Sequence, residues 1–417
     1  MDEGKVLREL AKTWIEKANL PIVKERKRLW KALKDLKAER PMIYAESWGI
    51  FDDSKLLCSN IFLRKVEMSM REIIEHFEDI GDDIVIEPYF RIPWRVILSD
   101  YGMPFEEHHA QDSSGRQFGY TFEFPIKIPD DVKRLKKRTY KVDREYTLLC
   151  KEKLENIFGD ILPVRVGNFD YFNPEPGYNP FIGINFIALS YDVFRLIGND
   201  RLIYWVYDHP DTLHEISRHI FTNSLAFYKW LEDENLLDNN TDNQFSGPGS
   251  YGYVSSLPEV GGYKKVYLKD LWGRSESQEG IVLSPGMFNE FFLFYIEKIC
   301  KLFGMIYYGC CEPLDDRFDY IRKAIPNLRA VSVSGWSNLH KMGEIIGKDY
   351  VYSRKPKPSY ISGAAANWDG AKNDMINTLE AAKNCNLEII LRDVIDFGRD
   401  KDRIKKWVSM TKSVMNF

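Results

Sequence analysis

Cysteine is scarce in this sequence, and long apolar runs are absent. Six cysteines in 417 residues are too few for a disulfide framework, so we expect free thiols in a reducing compartment. No run of about 18 apolar residues is present to span a membrane, and the charged N-terminal residues lack the apolar core of a signal peptide. We therefore expect a cytoplasmic protein that does not bind membranes.

An excess of charge of either sign is also missing. The formal net charge is -4, with 58 Lys and Arg against 62 Asp and Glu, and no basic stripe recurs along a helix face. These features argue against nucleic acid as the main partner. The sequence also contains no Gly-rich phosphate-binding loop, no nucleophile elbow and no Cys-x-x-Cys pair, which disfavours nucleotide-dependent chemistry.

Strand-like runs alternate with helical stretches along the chain. The runs that we predict as strands are Pro41–Glu46, Asp83–Glu87, Val164–Gly167, Lys265–Leu268, Met305–Tyr308, Ala330–Ser334, Tyr350–Ser353 and Leu387–Leu391. This alternation predicts a parallel sheet, and about eight units favour a closed (β/α)8 TIM barrel over an open sheet. We place the barrel at residues 41–417, after an N-terminal helical extension at 1–40. Long insertions at about 93–129 and 239–262 are expected to cover the carboxyl ends of the strands.

The most informative stretch follows the predicted strand Met305–Tyr308. Gly309 breaks the apolar run and is followed by Cys310, Cys311 and Glu312. Because parallel sheets bind ligands at the carboxyl ends of their strands, these side chains are candidates for soft metal ligands or for catalysis. The alternative is that one cysteine is a small buried apolar residue and that Glu312 caps the next helix.

Other acidic residues also end predicted strands. Glu46, Glu87 and Asp393 stand at the ends of the first, second and last strands. Such a carboxylate must lie at the mouth of the sheet or be paired, because burying it alone costs several kcal/mol. We predict Glu46, Asp393 and Glu312 as catalytic acids or bases; for Asp393 the alternative is a salt bridge to Arg392 or a helix cap.

Aromatic residues gather beyond the strand ends. They are Trp48, Tyr89, Trp94, Trp272 and Trp336. Most large aromatic side chains are core residues, but at the mouth of a sheet they would also suit a flat, apolar substrate or cofactor. We predict these five as substrate contacts.

Several short motifs are distinctive when they are taken together. They are Arg40-Pro-Met-Ile43, Leu271-Trp-Gly273, Ser277-Gln-Glu279, Ser284-Pro285, Tyr308-Gly-Cys-Cys-Glu-Pro313 and Ser353-Arg-Lys-Pro-Lys-Pro358. In these motifs the chain resembles the uroporphyrinogen decarboxylase-like superfamily, and within it the branch of corrinoid-dependent methyltransferases. The resemblance covers roughly residues 20–417 and implies a (β/α)8 barrel, with bound zinc in the methyltransferase branch. A shared fold does not by itself carry function across.

One zinc pattern of that branch is broken here. The enzymes that methylate coenzyme M use a His-x-Cys pair together with a distant Cys. In this chain Tyr308 and Gly309 stand where the histidine is expected before Cys310, and the last strand ends in Asp393 instead of cysteine.

A second pattern of the family fits better. The first methyltransferases of aryl-ether O-demethylase systems resemble one another in a Glu-x14-Glu-x20-His zinc signature, and Glu72, Glu87 and His108 stand at that spacing. The resemblance therefore implies zinc held by these three residues, with Cys310 and Cys311 as the alternative ligands.

The function that the resemblance implies is a zinc-dependent methyltransferase. It would move a methyl group from a small donor, such as an aryl methyl ether, to the cob(I)alamin of a separate corrinoid protein, since no cobalamin-binding domain is recognisable in the sequence. A Lewis acid would stabilise the charge that develops on the leaving oxygen. Two alternatives stay open: a metal-free decarboxylase or lyase that uses the strand-end carboxylates, and a non-catalytic binding barrel.

Overall fold

The structure is a computed structural model that describes residues 2–47, 50–99, 101–103, 106–111, 117–168, 186–187, 189–261, 265–394, 396–397 and 400–415. Its α-helices are α1 (Glu3–Ala18), α2 (Pro21–Lys34), α3 (Ile61–Asp79), α4 (Arg144–Phe158), α5 (Leu189–Asp208), α6 (Pro210–Asp233), α7 (Pro285–Phe288), α8 (Phe294–Cys300), α9 (Phe318–Ala324), α10 (Leu339–Ile346), α11 (Trp368–Ala381) and α12 (Arg403–Val414). A π-helical stretch, Asn289–Leu293, joins α7 to α8. Over the ranges just given, no helix combines the length and the apolar character that crossing a membrane requires.

The strands are short and are distributed along the whole chain. They are β1 (Met42–Ala45), β2 (Phe90–Pro93), β3 (Arg95–Leu98), β4 (Glu106–Gln111), β5 (Gln117–Glu123), β6 (Tyr140–Asp143), β7 (Val164–Gly167), β8 (Phe186–Ile187), β9 (Phe245–Gly247), β10 (Ser250–Tyr251), β11 (Trp272–Ser275), β12 (Met305–Tyr308), β13 (Leu328–Val333), β14 (Val351–Arg354) and β15 (Asn386–Leu391). Short 3-10 turns lie at Asp53–Lys55, Pro129–Arg134, Leu268–Asp270, Gln278–Val282 and Pro358–Tyr360.

The core of the fold is a seven-stranded parallel sheet in the order β1-β15-β14-β13-β12-β11-β8. Along β12, Ile306 and Tyr308 pack against the surrounding helices, whereas Met305 and Tyr307 pack on the opposite, inner face. Apolar residues on both faces are expected when a parallel sheet is covered on both sides. The strands that we predicted at Val164–Gly167 and Met305–Tyr308 are confirmed.

Closure of the sheet into a barrel is not shown by the described residues. β2 and β7 form a separate parallel ladder, and in the part of the chain described here no ladder joins them to the main sheet. Side chains from outside the sheet instead bind to β1 at one edge and to the first residue of β11 near the other edge. Asp83 Oδ2 accepts a hydrogen bond from the Ile43 amide at 2.9 Å, and Asn240 Oδ1 accepts one from the Trp272 amide at 2.9 Å. The fold is therefore mixed α/β around a parallel sheet, and the TIM barrel stays a prediction.

Two of the predicted strands are wrong. Residues 83–87 pair in no ladder, and the strand of this region is β2. Side chains satisfy most of their carbonyl groups instead, because buried backbone groups need partners. Trp14 Nε1 donates to the Glu87 carbonyl at 2.7 Å, and Asn243 Nδ2 donates to the Val85 carbonyl at 3.1 Å. Lys265–Leu268 also forms no strand, and the strand β11 begins only at Trp272.

The insertion predicted at about 93–129 contains β3 and the antiparallel pair of β4 and β5. β3 does not continue into that pair but binds β6, which lies just before α4, in a second antiparallel ladder. The insertion thus contains β structure, and β6 is one of its attachments to the rest of the chain.

The insertion predicted at 239–262 packs against the inner face of the sheet. Tyr251 and Tyr253 lie on the inner face of the sheet, in one apolar cluster with Trp30 of α2. Trp272, the first residue of β11, donates a hydrogen bond from Nε1 to the Gly252 carbonyl at 2.8 Å. The segment and α2 therefore fill the inner face of the sheet.

The inner face also buries an ion pair. Lys34 Nζ of α2 lies 2.7 Å from Glu388 Oε2 of β15, and neither side chain is exposed. Ser250 Oγ donates to Glu388 Oε1 at 2.7 Å. Burial would raise the pKa of Glu388, but the charges of Lys34 and Lys355 hold that pKa below its usual value. This ion pair joins α2 to β15.

This ion pair predicts an asymmetry between two single substitutions. Glu388→Gln leaves Lys34 and Lys355 buried without their anionic partner, so it should lower the free energy of unfolding by about 3–5 kcal/mol. Lys34→Met should cost less, because Glu388 keeps Lys355, and the double variant should be more stable than Glu388→Gln alone. Urea unfolding of the three variants measures this order; equal losses in the two single variants would contradict it.

Candidate active site

The turn after β12 presents Cys310 at the carboxyl end of the sheet. Gly309 has a φ of 101°, a region that favours glycine, and a Cβ there would lie 2.9 Å from Ser332 Cβ. The Gly309 amide donates to the Ser275 carbonyl of β11 at 2.8 Å, and Ser332 Oγ of β13 donates to the Cys310 carbonyl at 2.8 Å. The two neighbouring strands therefore fix the position of this cysteine.

The two thiols of this turn share one proton. Cys310 Sγ and Cys311 Sγ lie 3.7 Å apart, with Cys310 buried and Cys311 exposed. A hydrogen bond from the Cys311 thiol, and then the positive charges of Arg274 and Arg392, lower the pKa of Cys310 to about 5 against the effect of burial. The same hydrogen bond raises the pKa of Cys311. The pair thus carries one negative charge at neutral pH, and a thiolate is both a nucleophile and a soft ligand.

Buried carboxyl groups lie directly beside the thiols. Glu312 Oε2 accepts a hydrogen bond from the Cys310 amide at 2.9 Å, and Oε1 accepts one from the Ser277 amide at 3.1 Å. Burial, and then the charge of Cys310, raise the pKa of Glu312 to about 7. Burial, and then the charges of Glu279 and Glu312, raise the pKa of Glu276 well above its usual value. Both carboxyl groups therefore bind a proton more tightly than an exposed glutamic acid does.

The first and last strands of the main sheet add a second pair of acids at the same end. Glu46 Oε1 accepts a hydrogen bond from Arg392 Nε at 2.7 Å, and burial raises the pKa of Glu46. Asp393 follows β15 with a φ of 59°, and its backbone amide bonds to Glu46. Left-handed backbone at a non-glycine residue is frequent at functional sites. The three acids that we predicted as catalytic thus lie at one end of the sheet.

Lys355 lies between the carboxyl end of the sheet and the buried ion pair of Lys34 and Glu388, and it interacts with both through its charge. Its Nζ donates to Ser353 Oγ at 2.6 Å, which also accepts a hydrogen bond from the Tyr307 hydroxyl at 2.8 Å. Burial lowers the pKa of Lys355 to about 7, and the charge of Glu388 opposes this effect. Lys355 stands in one of the quoted family motifs, but the sequence pattern did not single it out.

The three residues at the O-demethylase spacing lie apart. Glu72 is on the exposed side of α3, while Glu87 Oε2 lies 2.6 Å from Lys27 Nζ. His108 is exposed on β4, with its Nε2 at 3.9 Å from Glu123 Oε2. Within the described ranges, no three His, Cys, Asp or Glu side chains are grouped so that they could hold a metal ion. The spacing in the sequence is therefore not matched by proximity in space.

The thiol pair meets only part of the requirements of a zinc site. Two thiolates bound tetrahedrally to one Zn2+ at about 2.3 Å lie about 3.8 Å apart, and the Cys310 and Cys311 sulfur atoms are 3.7 Å apart. A catalytic zinc takes three protein ligands, and the described residues offer no such group of three. The described residues therefore do not complete a zinc site.

The predicted aromatic contacts lie in different surroundings. Trp272 is fully buried on the inner face and is a core residue. Tyr89 and Trp94 are half-buried, whereas Trp336, just beyond β13, is 63% exposed. Trp48 lies outside the described residues. Of these side chains, Trp336 therefore has the exposure that a contact with a docking molecule needs.

Two functional candidates were missed because a strand was misplaced. Arg274 and Glu276 lie at the carboxyl end of β11, beside Cys310 and Glu312. We had predicted the strand of this region at Lys265–Leu268, so Arg274 and Glu276 did not stand at the end of a predicted strand. With the strand at β11, their charged side chains mark its carboxyl end.

The lowered pKa of Cys310 predicts unusual reactivity with iodoacetamide. The folded protein should be alkylated at Cys310 at about pH 6, with a rate that falls as the pH drops through about 5, because the thiolate is the nucleophile. Burial raises the pKa of Cys385 to about 11, so this half-buried thiol is the internal control. Arg392→Gln removes a positive charge and should move the midpoint to higher pH. Peptide mass spectrometry measures each rate; a Cys310 that reacts no faster than Cys385 would contradict the assignment.

Comparisons with known proteins identify no family. No family model matches the chain, and no curated protein matches it. Among the solved structures that are similar to it is a methyltransferase from Methanosarcina mazei, with 11% sequence identity and a TM-score of 0.49 over 93% of this chain and 97% of that one. A likeness of this degree carries no argument about the activity of the present chain, which has to be inferred from its own residues.

Proposed function

We propose that this chain is a methyltransferase that moves a methyl group from a small donor, such as an aryl methyl ether, to the cob(I)alamin of a separate corrinoid protein. We place the reaction at the carboxyl ends of the strands, around Cys310 and Glu312. The observation that carries the proposal is a buried carboxyl group of raised pKa, Glu312, which accepts a hydrogen bond from the backbone amide of Cys310 and feels the charge of its thiol, whose pKa is low. The motifs quoted above, which resemble corrinoid-dependent methyltransferases, support the same class of reaction.

The reaction requires that the leaving group be stabilised. When the methyl group is transferred, the bond between the methyl carbon and the donor oxygen breaks, and the oxygen keeps the electron pair. Glu312, whose pKa is raised to about 7 by burial and by Cys310, carries a proton in about half of the molecules at pH 7 and can give it to that oxygen. The corrinoid supplies the nucleophile that takes the methyl group. A positioned general acid of this kind typically contributes about 10²–10⁴-fold to the rate.

Cys310 is proposed to act through Glu312. Its negative charge is the second cause, after burial, of the raised pKa of Glu312, so it helps to keep the acid protonated. Arg274 and Arg392 in turn hold the negative charge on Cys310. The arrangement therefore supplies a proton donor where the family resemblance implied a Lewis acid.

The donor is expected to carry a negatively charged or polar group. Arg274 and Arg392 both act on Cys310 through their positive charges, and cations beside a site favour an anionic substrate. The same observation supports the second candidate function, a decarboxylase or lyase in which Glu46 and Asp393 act on a carboxylated substrate.

Methylation of cob(I)alamin tests the proposal directly, because it changes the absorption spectrum of the corrinoid. With reduced corrinoid protein and a panel of methoxylated aromatics, methylamines and betaines, wild-type protein should turn over a methoxylated aromatic. Glu312→Gln should lower the rate about 10²–10⁴-fold. Glu72→Gln is the matched control, since it makes the same chemical change at an exposed position away from Cys310, and it should be without effect.

Other outcomes of this experiment would overturn the proposal. If Glu72→Gln, Glu87→Ala or His108→Ala abolishes methyl transfer while Glu312→Gln does not, the reaction belongs to the O-demethylase spacing. If the protein binds about one zinc per chain and Cys310→Ser loses it, the donor is activated by a metal ion and not by the proton of Glu312. Release of carbon dioxide from a carboxylated substrate, without reaction of any methyl donor, would establish the decarboxylase instead.

The pH dependence of methyl transfer separates the role of Cys310 from that of Glu312. The acid must be protonated, so the rate should fall as the pH rises through about 7. Cys310→Ser removes a negative charge that raises the pKa of Glu312, so the fall should move to lower pH. Cys385→Ser, a thiol far from the site, is the control and should leave the profile unchanged. A profile that does not move in Cys310→Ser would contradict the proposed coupling.

A further inference from the structure

A second constellation of polar side chains lies at the end of β1, next to Glu46. Ser47 Oγ lies 2.8 Å from His76 Nδ1, and His76 Nε2 lies 2.9 Å from Asp82 Oδ2. His76 comes from α3 and Asp82 from the segment that follows this helix. A hydroxyl, an imidazole and a carboxylate are thus linked in series. This is the order of groups that activates a serine nucleophile, with the roles of the two ring nitrogens exchanged relative to the serine protease triad.

The surroundings of Asp82 decide which nitrogen of His76 carries the proton. Asp82 Oδ2 also accepts a hydrogen bond from the Ala45 amide at 2.9 Å, and Oδ1 accepts one from the Ile84 amide at 3.0 Å. The Asp82 carboxylate can only accept hydrogen bonds, so His76 Nε2 must carry the hydrogen that is donated to it. In the neutral imidazole the other nitrogen, Nδ1, then has a free lone pair. That lone pair faces Ser47 Oγ, as a general base for this hydroxyl must.

The imidazole ring is held in this orientation. His76 is buried and stacks on Tyr44 of β1, with ring centroids 5.5 Å apart and planes inclined by 13°. Because Asp82 is fixed by backbone amides and the ring by stacking, the base is arranged before any substrate binds. Such fixed orientation is what the carboxylate of a triad supplies.

The serine and the imidazole line a small pocket. Its volume is about 40 Å³, and Ile50, Phe51 and Ile80 contribute apolar surface to it. A water molecule needs about 10–15 Å³ measured in this way, so the pocket holds roughly three water-sized groups. That space suits a short acyl group such as acetyl.

Acidic side chains complete the same pocket. Glu72, Glu75 and Asp79 of α3 line it, and Glu75 lies 3.2 Å from Lys55 Nζ. Lys401 is the second cation nearby, and its Nζ donates to the Ile50 carbonyl at 3.1 Å. The three carboxyl groups outnumber these two cations, so the pocket disfavours anions and favours neutral or positively charged molecules.

We propose that Ser47 is the nucleophile of a hydrolytic site, with His76 as its base and Asp82 as the residue that orients the base. The substrates are esters of short acyl groups with neutral or cationic alcohols. Ser47 Oγ bonds to the ester carbonyl carbon and its proton moves to His76 Nδ1; the C–O bond then breaks, and the alcohol leaves with that proton. Water, activated by His76, releases the acyl group as the acid and restores the serine.

A fluorophosphonate probe tests this site without any methyl donor or corrinoid, so its result is independent of the function proposed above. The full-length protein should be labelled at Ser47, and His76→Asn should slow both labelling and hydrolysis of p-nitrophenyl acetate by about 10²–10⁴-fold. Ser54 is the internal control, because its hydroxyl donates to Asp52 at 2.7 Å rather than to a histidine, and it should stay unlabelled. Peptide mass spectrometry locates the label.

The alternative role of these contacts is to fasten α3 to β1, which would leave Ser47 unreactive. An unlabelled Ser47 in protein with an intact thermal transition would therefore overturn the proposal. If His76→Asn does not fold, Ser47→Ala decides, since it removes a single hydroxyl; unchanged ester hydrolysis in this variant would also overturn it. Acetylthiocholine should be hydrolysed faster than an anionic acetate ester, and the reverse order would refute the assigned substrate class.

Discussion

The buried ion pair between Lys34 and Glu388 is the contact on which the interior of this protein depends. The inner face of the parallel sheet is filled by α2 and by the segment around Tyr251 instead of by the strands alone. Both fillers meet Glu388, through Lys34 Nζ and through Ser250 Oγ. An ionised group without partners is very costly in such surroundings, so helix, loop and strand are bound to one another by the need to satisfy this carboxylate. Lys355 extends the same network towards the carboxyl ends of the strands.

At those ends, the charge of each ionisable group affects the pKa of its neighbours. Cys310 carries a negative charge because Cys311 and two arginines favour it, and that charge in turn favours the protonated form of Glu312. Two adjacent residues at the end of β1 belong to the two proposed sites. Glu46 bonds to Arg392, whereas the next residue, Ser47, bonds to His76. Adjacent residues of an extended chain point to opposite sides, so one strand end can contribute to two sites.

Motif spacing proved a weaker guide than strand position. Glu72, Glu87 and His108 stand at the spacing of a zinc signature, but they lie on a helix, on a segment beside α2 and on an exposed hairpin strand. Spacing along a chain limits how far apart residues can be and does not bring them together. The local pattern also failed at Lys265–Leu268, where three consecutive apolar or aromatic residues form no strand, because β propensity depends strongly on the tertiary neighbours.

The sequence by itself determined the parallel character of the sheet, the strand β12 and the placement of Cys310 and Glu312 at its end. These features follow from local signals, namely a short apolar run, a glycine that permits a positive φ and polar residues after it. Only the tertiary structure decided what these side chains can do. The pKa of Cys310 depends on Arg274 and Arg392, and the tautomer of His76 depends on the groups around Asp82. Coulomb interactions and hydrogen bonds act through space, so neither could be read from positions along the chain.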